Sequence, residues 1–292
     1  MSTDAKLTSI EEARKESALR TLVFTSPAHE LLVGRGTFSP TTSTLLVGRS
    51  ESVLIDAQYI DSDIAALGDL IEETGTKLTT IYVTHGHADH YLGIGTLLER
   101  FPGARALATP GVVEYIEDTL EYQTGRWSAM FGEAAVKPTV LPEPMAEGVI
   151  DLEGTELRVI EVGQGDIRPS TVVHIPAIDT VVSGDVVYNQ IHAMLGLSGP
   201  EEWQNWIESV NRVEQLRPTT IVAGHKKPEA SDQAVEAMLD GTRSYISDFA
   251  DAAQTAKDAD ELVGTMLAKY ETLGNPWTLK FSAHAWFSRD PD

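Results

Sequence analysis

Apolar and polar positions alternate with two different periods along the chain, and these periods predict strands and helices. Short apolar runs bounded by Gly, Pro and Ser fill residues 21–57, as is typical of strands joined by turns, with runs at 29–33, 43–47 and 53–56. From residue 60 to residue 73 the apolar positions recur at helical spacing, and the segment ends at Gly75. The next apolar run, at 78–83, predicts a buried strand.

The same alternation continues through the second half of the chain. The patterns predict helices at 91–101, 110–130 and 200–215, and strands at 105–108, 157–162, 171–175, 180–183 and 219–222. Strand runs followed by strand–helix alternation, twice over, are typical of two packed sheets with helices outside. We therefore predict an α/β protein with a leader segment at 1–20 and a single domain at 21–292, whose C-terminal part, about 229–272, is helical.

Composition narrows the classes of partner. The 44 acidic and 22 basic residues give a formal net charge of −22, which disfavours nucleic acid and membrane as partners, because both are bound through Lys and Arg. The chain has no cysteine, so any metal must be held by nitrogen and oxygen. No apolar run reaches the ~18 residues of a membrane span, and the polar N-terminus lacks a signal core. We expect a cytoplasmic protein with a small-molecule substrate, and we predict no particular oligomeric state.

Candidate chemistry is concentrated directly after the predicted strand at 78–83. Three of the chain's eight histidines fall within six positions, as His85, His87 and His90, and Asp89 lies among them. Imidazole and carboxylate are ligands that suit zinc, iron or manganese, and Gly86 allows the backbone to turn tightly. A metal-free, hydrogen-bonded histidine cluster is the alternative, but imidazoles packed this closely would repel one another when protonated.

The pattern His85-x-His87-x-Asp89-His90 after a strand resembles the signature of the metallo-β-lactamase fold hydrolases. This resemblance implies an αββα four-layer sandwich, in which two mixed β-sheets are flanked by helices. It also implies a site for one or two metal ions at the edge where the two sheets meet.

The resemblance implies further site residues. A Gly-Asp after a strand usually supplies a bridging carboxylate in the family, which corresponds to Asp185, and a Gly-His after a late strand corresponds to His225. An Asp that ends an early strand commonly supports the ligands, and Asp56 matches that position.

One position departs from the family pattern. After the strand at 157–162 the family usually has Gly-His, whereas this chain has Gly163-Gln164-Gly165-Asp166. An amide is a poorer ligand than imidazole, so we expect the first metal position to be weakened at Gln164. Three outcomes stay open: one metal in the second position, two metals with Gln164 or a water completing the first, or a decayed site.

Two more residues are candidates for supporting or substrate-binding roles. Asp166 either hydrogen-bonds a metal-bound water or a ligand imidazole, or is only a turn residue. His192 follows Asp185 in a loop that is expected to leave the metal edge, so it either touches substrate or is a packed loop residue.

The sequence contains neither a phosphate-binding Walker loop nor a Gly-x-Ser-x-Gly elbow. Together with the candidate ligands, the resemblance implies a hydrolase with one or two Zn²⁺ ions, with Fe or Mn as alternatives, in which we expect Asp89 or Asp185 to orient the attacking water and move its proton. The expected substrate is a small ester, thioester, lactone or lactam, so that lactonase and lactamase activities are included. The segment between Ala104 and Thr155 is expected to cap the site.

Two other functions remain open on the same fold. One is a mononuclear non-heme iron oxygenase acting on a thiol or persulfide, because two imidazoles and one carboxylate are what such iron chemistry requires. The other is a non-catalytic binding protein with a decayed site.

Overall fold

A computed structural model describes residues 19–33 and 35–289 of the chain. The predicted leader at 1–20 therefore lies almost wholly outside the described residues. The division into leader and single domain stays a prediction.

The first β-sheet has six strands in the order β1-β4-β5-β6-β7-β8. Strands β1, β4 and β5 pair with one another in antiparallel order, and β5 to β8 run parallel. The strands of this sheet are β1 (Arg20–Thr25), β4 (Thr42–Val47), β5 (Glu51–Ile55), β6 (Lys77–Tyr82), β7 (Arg105–Ala108) and β8 (Glu143–Pro144).

The second β-sheet has five strands in the order β13-β12-β11-β10-β9, and only β12 and β13 are parallel within it. A short antiparallel hairpin, β2–β3, stands apart from both sheets. The strands are β2 (His29–Glu30), β3 (Thr37–Phe38), β9 (Val149–Leu152), β10 (Thr155–Gly163), β11 (Ser170–Ile175), β12 (Thr180–Gly184) and β13 (Thr220–Ala223).

Eight α-helices are described in residues 19–33 and 35–289: α1 (Asp61–Glu73), α2 (Ala88–Tyr91), α3 (Ile94–Arg100), α4 (Pro110–Phe131), α5 (Pro200–Gln215), α6 (Val235–Thr255), α7 (Ala259–Lys269) and α8 (Pro276–Phe287). The apolar faces of α1, α3 and α4 bury the outer face of the first sheet, and those of α5 to α7 bury the outer face of the second. Within this part of the chain, none of the helices is long and apolar enough to cross a membrane.

Strand β4 shows why the predicted strands contain continuous apolar runs. Leu45 and Val47 pack in the core beneath the helices, whereas Leu46 packs in the core between the sheets, and all three side chains are fully buried. Successive strand residues point to opposite faces, so a sheet that is covered on both sides needs apolar residues at every position. The four-layer αββα architecture implied by the sequence is confirmed.

Two local predictions were wrong. The strand expected at 29–33 is reduced to β2, and Leu32 and Val33 are 69% and 53% exposed in the hairpin loop. The helix expected at 91–101 is divided into α2 and α3 at Gly93, where an added Cβ would lie 2.1 Å from the carbonyl oxygen of Ala57. The close approach of these two backbones interrupts the helix, a tertiary contact that apolar spacing does not contain.

The segment between Ala104 and Thr155, which the sequence led us to expect as a cap, is also part of both sheets. It contains α4, but it also supplies strands to both sheets, namely β7 and the edge strand β8 to the first and the edge strand β9 to the second. The segment thus carries the chain from one sheet to the other while it places α4 over their shared edge.

His192 is fully buried in the loop between β12 and α5. Its Nδ1 atom lies 3.0 Å from the hydroxyl oxygen of Tyr245 on α6, and its Nε2 atom has no hydrogen-bond partner among the described residues. Burial lowers the pKa of His192 to about 4. The imidazole is therefore neutral in the folded protein at neutral pH.

We predict that His192 makes the protein less stable in mild acid. Between about pH 6.5 and about pH 4 the His192 imidazole is protonated in the unfolded chain but stays neutral in the folded chain. The free energy of unfolding therefore falls as the pH is lowered through this range. In His192→Asn this fall is smaller by about 2 kcal/mol between pH 7 and pH 5. Urea unfolding of both proteins at each pH measures the difference, and parallel pH profiles would contradict the prediction.

Candidate metal centre

The candidate ligands lie where strands of both sheets end at one edge of the sandwich. His85 follows β6, Asp166 follows β10, and Asp185 and His225 follow the parallel strands β12 and β13. Isolated backbone bridges join the two sheets at this edge, one between Thr41 and His225 and one between His85 and Ser170. Residues far apart in the chain therefore converge here because the carboxyl ends of their strands meet.

One group of candidate ligands consists of His85, His87, Asp166 and Asp185, whose ligand atoms all lie within 4.8 Å of one another. His87 Nδ1 is 2.7 Å from Asp166 Oδ2, and His85 Nε2 is 3.8 Å from Asp166 Oδ1. His85 Nε2 is also 4.0 Å from Asp185 Oδ2.

A second group consists of Asp89, His90 and His225, again within 4.8 Å. Asp185 also borders this group, because its Oδ1 lies 3.4 Å from His90 Nε2 and its Oδ2 lies 3.2 Å from His225 Nε2. Asp89 Oδ2 lies 3.4 Å from His90 Nε2 and 3.3 Å from His225 Nε2. Asp185 thus stands between the two groups.

Several ligand atoms of the cluster are buried without a partner. His85 Nε2, His90 Nε2 and Asp185 Oδ1 make no hydrogen bond within residues 19–33 and 35–289. Buried polar atoms in native proteins nearly always have a partner, and leaving one unsatisfied is costly. Four imidazoles and three carboxylates with free atoms turned toward one another fit divalent cations, which prefer such nitrogen and oxygen ligands.

Asp56 orients two of the imidazoles from outside the cluster. Its Oδ2 lies 2.8 Å from His90 Nδ1, and both of its oxygens accept from the Thr84 hydroxyl. The same Thr84 oxygen lies 3.0 Å from His85 Nδ1 and accepts its proton, because the hydroxyl hydrogen is already donated to Asp56. Both rings therefore carry their proton on Nδ1 and turn Nε2 toward the cluster, the arrangement found around metal-ligating histidines.

His225 and Asp185 are fixed in the same way by neighbouring groups. The carbonyl oxygen of Pro40 lies 2.9 Å from His225 Nδ1 and can only accept, so Nδ1 donates and Nε2 is left for the cluster. The Tyr188 hydroxyl donates to Asp185 Oδ2 at 2.8 Å, and its ring stacks on His225 with centroids 5.7 Å apart. No sequence pattern marks Tyr188, because its role depends on these contacts with Asp185 and His225.

The electrostatics of the cluster follow from burial and from the three carboxylates. Burial lowers the pKa of His225, but Asp185 and Asp89 outweigh this effect and raise the pKa to about 10. Burial raises the pKa of Asp166 to about 6 against the opposing effect of His87. Burial and the neighbouring His90 hold the pKa of His85 well below its usual value. The carboxylates therefore attract positive charge, which a divalent cation supplies in place of protons.

Glycines allow the strand ends to approach so closely. A Cβ on Gly224 would lie 2.2 Å from Asp185 Oδ1, and a Cβ on Gly184 would lie 2.7 Å from the Thr84 hydroxyl oxygen. Gly184 also has a φ of 48°, in the left-handed region that favours glycine. The Gly-Asp and Gly-His pairs at the strand ends thus have a steric cause.

Gln164 and Asp166 lie on different sides of the turn after β10. The Gln164 amide donates to the carbonyl of Gly165 at 3.1 Å, and its side chain lines a separate cavity with Tyr115 and Arg168. Among the described residues no hydrogen bond joins the Gln164 amide to a candidate ligand, whereas Asp166 lies in the first group. In the sequence, the signal for this arrangement was Asp166 itself, a carboxylate two positions after the position where the family usually has histidine.

His192 lies apart from these groups. Its ring contacts Tyr245, and within the part of the chain that the structure describes no hydrogen bond or ion pair joins it to the cluster.

A pocket opens over the cluster and is closed on one side by α4. Besides cluster residues it is lined by apolar side chains from α4, β3 and the loop before α5, namely Trp127, Met130, Phe38, Met194 and Leu197. Phe38 and Trp127 pack edge to face with ring centroids 5.0 Å apart. Apolar walls that face a group of polar side chains are typical of small-molecule sites.

Solved structures with the same fold support this architecture. A metallo-β-lactamase family protein from Thermus thermophilus aligns over 90% of this chain and 91% of its own, with a TM-score of 0.63 and 17% identity. The metallo-β-lactamase from Pontibacter korlensis aligns over 79% of this chain and 99% of its own, with a TM-score of 0.56 and 19% identity.

Sequence comparison agrees with the structural similarity. The Beta-lactamase-like protein 2 homolog of Drosophila melanogaster is 24% identical over 188 residues, which are 63% of this chain and 58% of that protein. The match therefore spans less than two thirds of that relative. The family model described as the metallo-beta-lactamase superfamily matches residues 36–225, which include every candidate ligand. The chain belongs to the metallo-β-lactamase superfamily.

Proposed function

We propose that this protein is a metal-dependent hydrolase that uses activated water on a small ester, thioester, lactone or lactam. The observation that carries this proposal is the convergence of two groups of buried imidazoles and carboxylates, with unpartnered ligand atoms, on the floor of an apolar pocket. Family membership supports the reaction class.

The two groups suggest two metal positions. His85, His87 and Asp166 would hold one ion, Asp89, His90 and His225 would hold the other, and Asp185 would contact both. When bound, such ions polarise the acyl oxygen and lower the pKa of water from 15.7 to about 7. We propose zinc, with iron or manganese as alternatives, because imidazole together with carboxylate suits all three.

Asp89 is the carboxylate best arranged to orient the attacking water and to accept its proton. Its Oδ2 already accepts from the Thr41 hydroxyl at 3.2 Å and faces His90 and His225. Its Oδ1 makes no hydrogen bond or ion pair with any described residue, and Asp89 lines the pocket. Asp185 has less freedom, because Tyr188 donates to its Oδ2 and its Oδ1 is buried.

The pocket walls exclude water from the substrate's apolar part. Phe38, Trp127 and Met130 are each more than 90% buried, yet each lines the pocket. An apolar substrate would pack against surfaces that are already ordered, so little side-chain entropy is lost when it binds.

A second candidate function is favoured by Asp166. His85, His87 and Asp166 form a two-histidine, one-carboxylate group, which is the ligand set of many non-heme iron oxygenases. In this second candidate function the substrate is a thiol or persulfide. The iron would be held by the first group, and the group of Asp89, His90 and His225 would not take part in the chemistry.

Metal analysis and a substrate screen test these proposals together. Protein purified without added metal is analysed for zinc, iron and manganese, and is then assayed with chromogenic esters, thioesters, lactones and β-lactams. Zinc with hydrolysis that a chelator abolishes supports the hydrolase. Iron with thiol-dependent oxygen uptake supports the oxygenase, and protein without metal or turnover supports a binding protein.

Asp185→Asn is predicted to remove measurable turnover and to lower the metal bound per chain, because one carboxylate borders both ligand groups. Plasma emission spectrometry measures the metal, and Asp179→Asn, in a turn remote from the cluster, is the matched control. Unchanged kinetics in Asp185→Asn would exclude its role between the two metal positions.

Asp166→Ala and Gln164→Ala form a second matched pair. We predict that Asp166→Ala loses metal from the first position, whereas Gln164→Ala keeps the parent metal content, because Asp166 lies among the candidate ligands and the Gln164 amide donates to the carbonyl of Gly165. Competition with a chromophoric chelator measures both variants. Metal loss in Gln164→Ala alone would reverse the assignment.

Asp56→Asn tests the support of the imidazoles. It is predicted to weaken metal binding about 10- to 100-fold, the usual effect of removing a group that orients a ligand histidine. The same chelator competition measures this loss, and an unchanged affinity would show that Asp56 is only a packing residue.

A further inference from the structure

Outside the ligand groups the pocket is lined by five polar side chains, and four of them have hydrogen-bond partners within the protein. Ser39 is 2.8 Å from His225 Nδ1, Gln123 bonds both Gly86 and Trp127, and the Tyr188 hydroxyl donates to Asp185. Thr278 pairs with the side chain of Asn275. All four therefore have partners within the protein.

Arg126 also lines the pocket but has no such partner. No hydrogen bond or ion pair joins its guanidinium to any residue in 19–33 or 35–289, although the chain carries twice as many acidic as basic residues. Arg100, Arg105 and Arg243 each pair with a carboxylate, whereas Arg20, Arg168 and Arg217 resemble Arg126 in having no guanidinium partner among the described residues. What sets Arg126 apart is therefore that its free donors border the pocket over the ligand groups.

The position of the guanidinium is set by a second helix. Arg126 lies on α4, and its guanidinium carbon stands 4.7 Å from the centroid of the Phe281 ring on α8. A cation over an aromatic face is held electrostatically, while the edge of the guanidinium keeps its N–H groups free. Arg126 is thus ordered without any of its hydrogen-bonding capacity being used.

We infer that Arg126 binds a carboxylate group of the substrate, so that the compound hydrolysed is an acid with an apolar body and a separate acyl bond. This inference rests on the proposed function and specifies its substrate class. The fork of guanidinium donors matches a carboxylate in a bidentate geometry. The apolar body would lie against Trp127, Met130 and Met194, between the carboxylate and the ligand groups.

Charge also favours a carboxylate over a phosphate group. A chain with a formal net charge of −22 repels anions at long range, and a doubly charged phosphate is repelled more than a singly charged carboxylate. Arg126 is the one Lys or Arg side chain among the lining residues described for this pocket, so its guanidinium adds a single fixed positive charge outside the ligand groups.

Matched substrates separate recognition from catalysis. The 4-nitrophenyl ester of hexanoic acid and the mono-4-nitrophenyl ester of adipic acid share their acyl centre and chain length, but only the second carries a carboxylate. We expect the parent to favour the adipate ester in kcat/KM. In Arg126→Met this preference is expected to fall about 10- to 100-fold, the value of a charge-assisted hydrogen bond. Arg126→Lys should retain part of it.

Arg20→Met is the matched control, because it removes the same charge from the exposed start of β1, away from the pocket. It should keep the parent's preference. Loss of the preference in both variants would mean that only net charge matters and would overturn the inference. A parent that hydrolyses both esters but favours the hexanoate ester would also overturn it, while leaving the hydrolase proposal intact.

A binding measurement decides the case in which neither ester is hydrolysed. Calorimetric titration of the protein as purified compares 3-phenylpropanoate with 3-phenylpropanamide, and 2-phenylethylphosphonate tests for a phosphate-type ligand. Tighter binding of the carboxylate, weakened selectively in Arg126→Met, supports the role of Arg126 even if the hydrolase proposal fails. Equal weakening for carboxylate and amide, or tighter binding of the phosphonate, overturns it. Melting temperatures establish that each variant is folded.

Discussion

The carboxylate of Asp185 lies between two groups of imidazoles, and the organisation of the edge of the sandwich depends on the cost of burying it there. A buried carboxylate needs hydrogen bonds and positive charge nearby. Tyr188 supplies the hydrogen bond, and His90 and His225 lie 3.4 Å and 3.2 Å from its oxygens. These imidazoles are buried as well and also need hydrogen-bond partners. Asp56 is the partner of His90, and the carbonyl of Pro40 is the partner of His225. The whole arrangement leaves its free lone pairs pointing inward, where a cation would satisfy them.

The two sheets and the helices contribute differently to this site. The sheets provide rigid strand ends, buried on both faces, from which the ligands project at fixed separations. The helix α4 and the hairpin β2–β3 provide the pocket walls, and the hairpin loop exposes Leu32 and Val33 to solvent. Chemistry placed on strand ends and specificity placed on additional segments can vary independently, as is common in folds that carry many functions.

With Asp166 as a ligand, as we propose, a carboxylate takes the place of the imidazole that is usual in the family, and the charge of that ligand set becomes more negative by one unit. A more negative ligand set holds a hard cation more tightly but reduces the positive charge that the ion presents to a substrate. The burial that raises the pKa of Asp166 to about 6 is a measure of how unfavourable that carboxylate is without a cation. Under the proposed function, the identity of the metal is therefore the property that most directly depends on Asp166.

The sequence by itself determined the layers of the fold and most of the candidate ligands, because apolar periodicity and closely spaced imidazoles are local properties. The apolar runs that form β4, β5, β6, β12 and β13 were predictable from the sequence. The candidate ligands His85 to His90 come directly after β6 in the chain. Only the tertiary structure places Asp166 beside His85 and His87 and leaves the Gln164 amide bonded to Gly165, since Gly163, with a φ of 99°, lies at an irregularity in the pairing of β10 with β11 that precedes the turn. It also decided that Tyr188 holds Asp185 and that Arg126 reaches the pocket, because both depend on contacts between segments whose spacing along the chain carries no information about their separation in space.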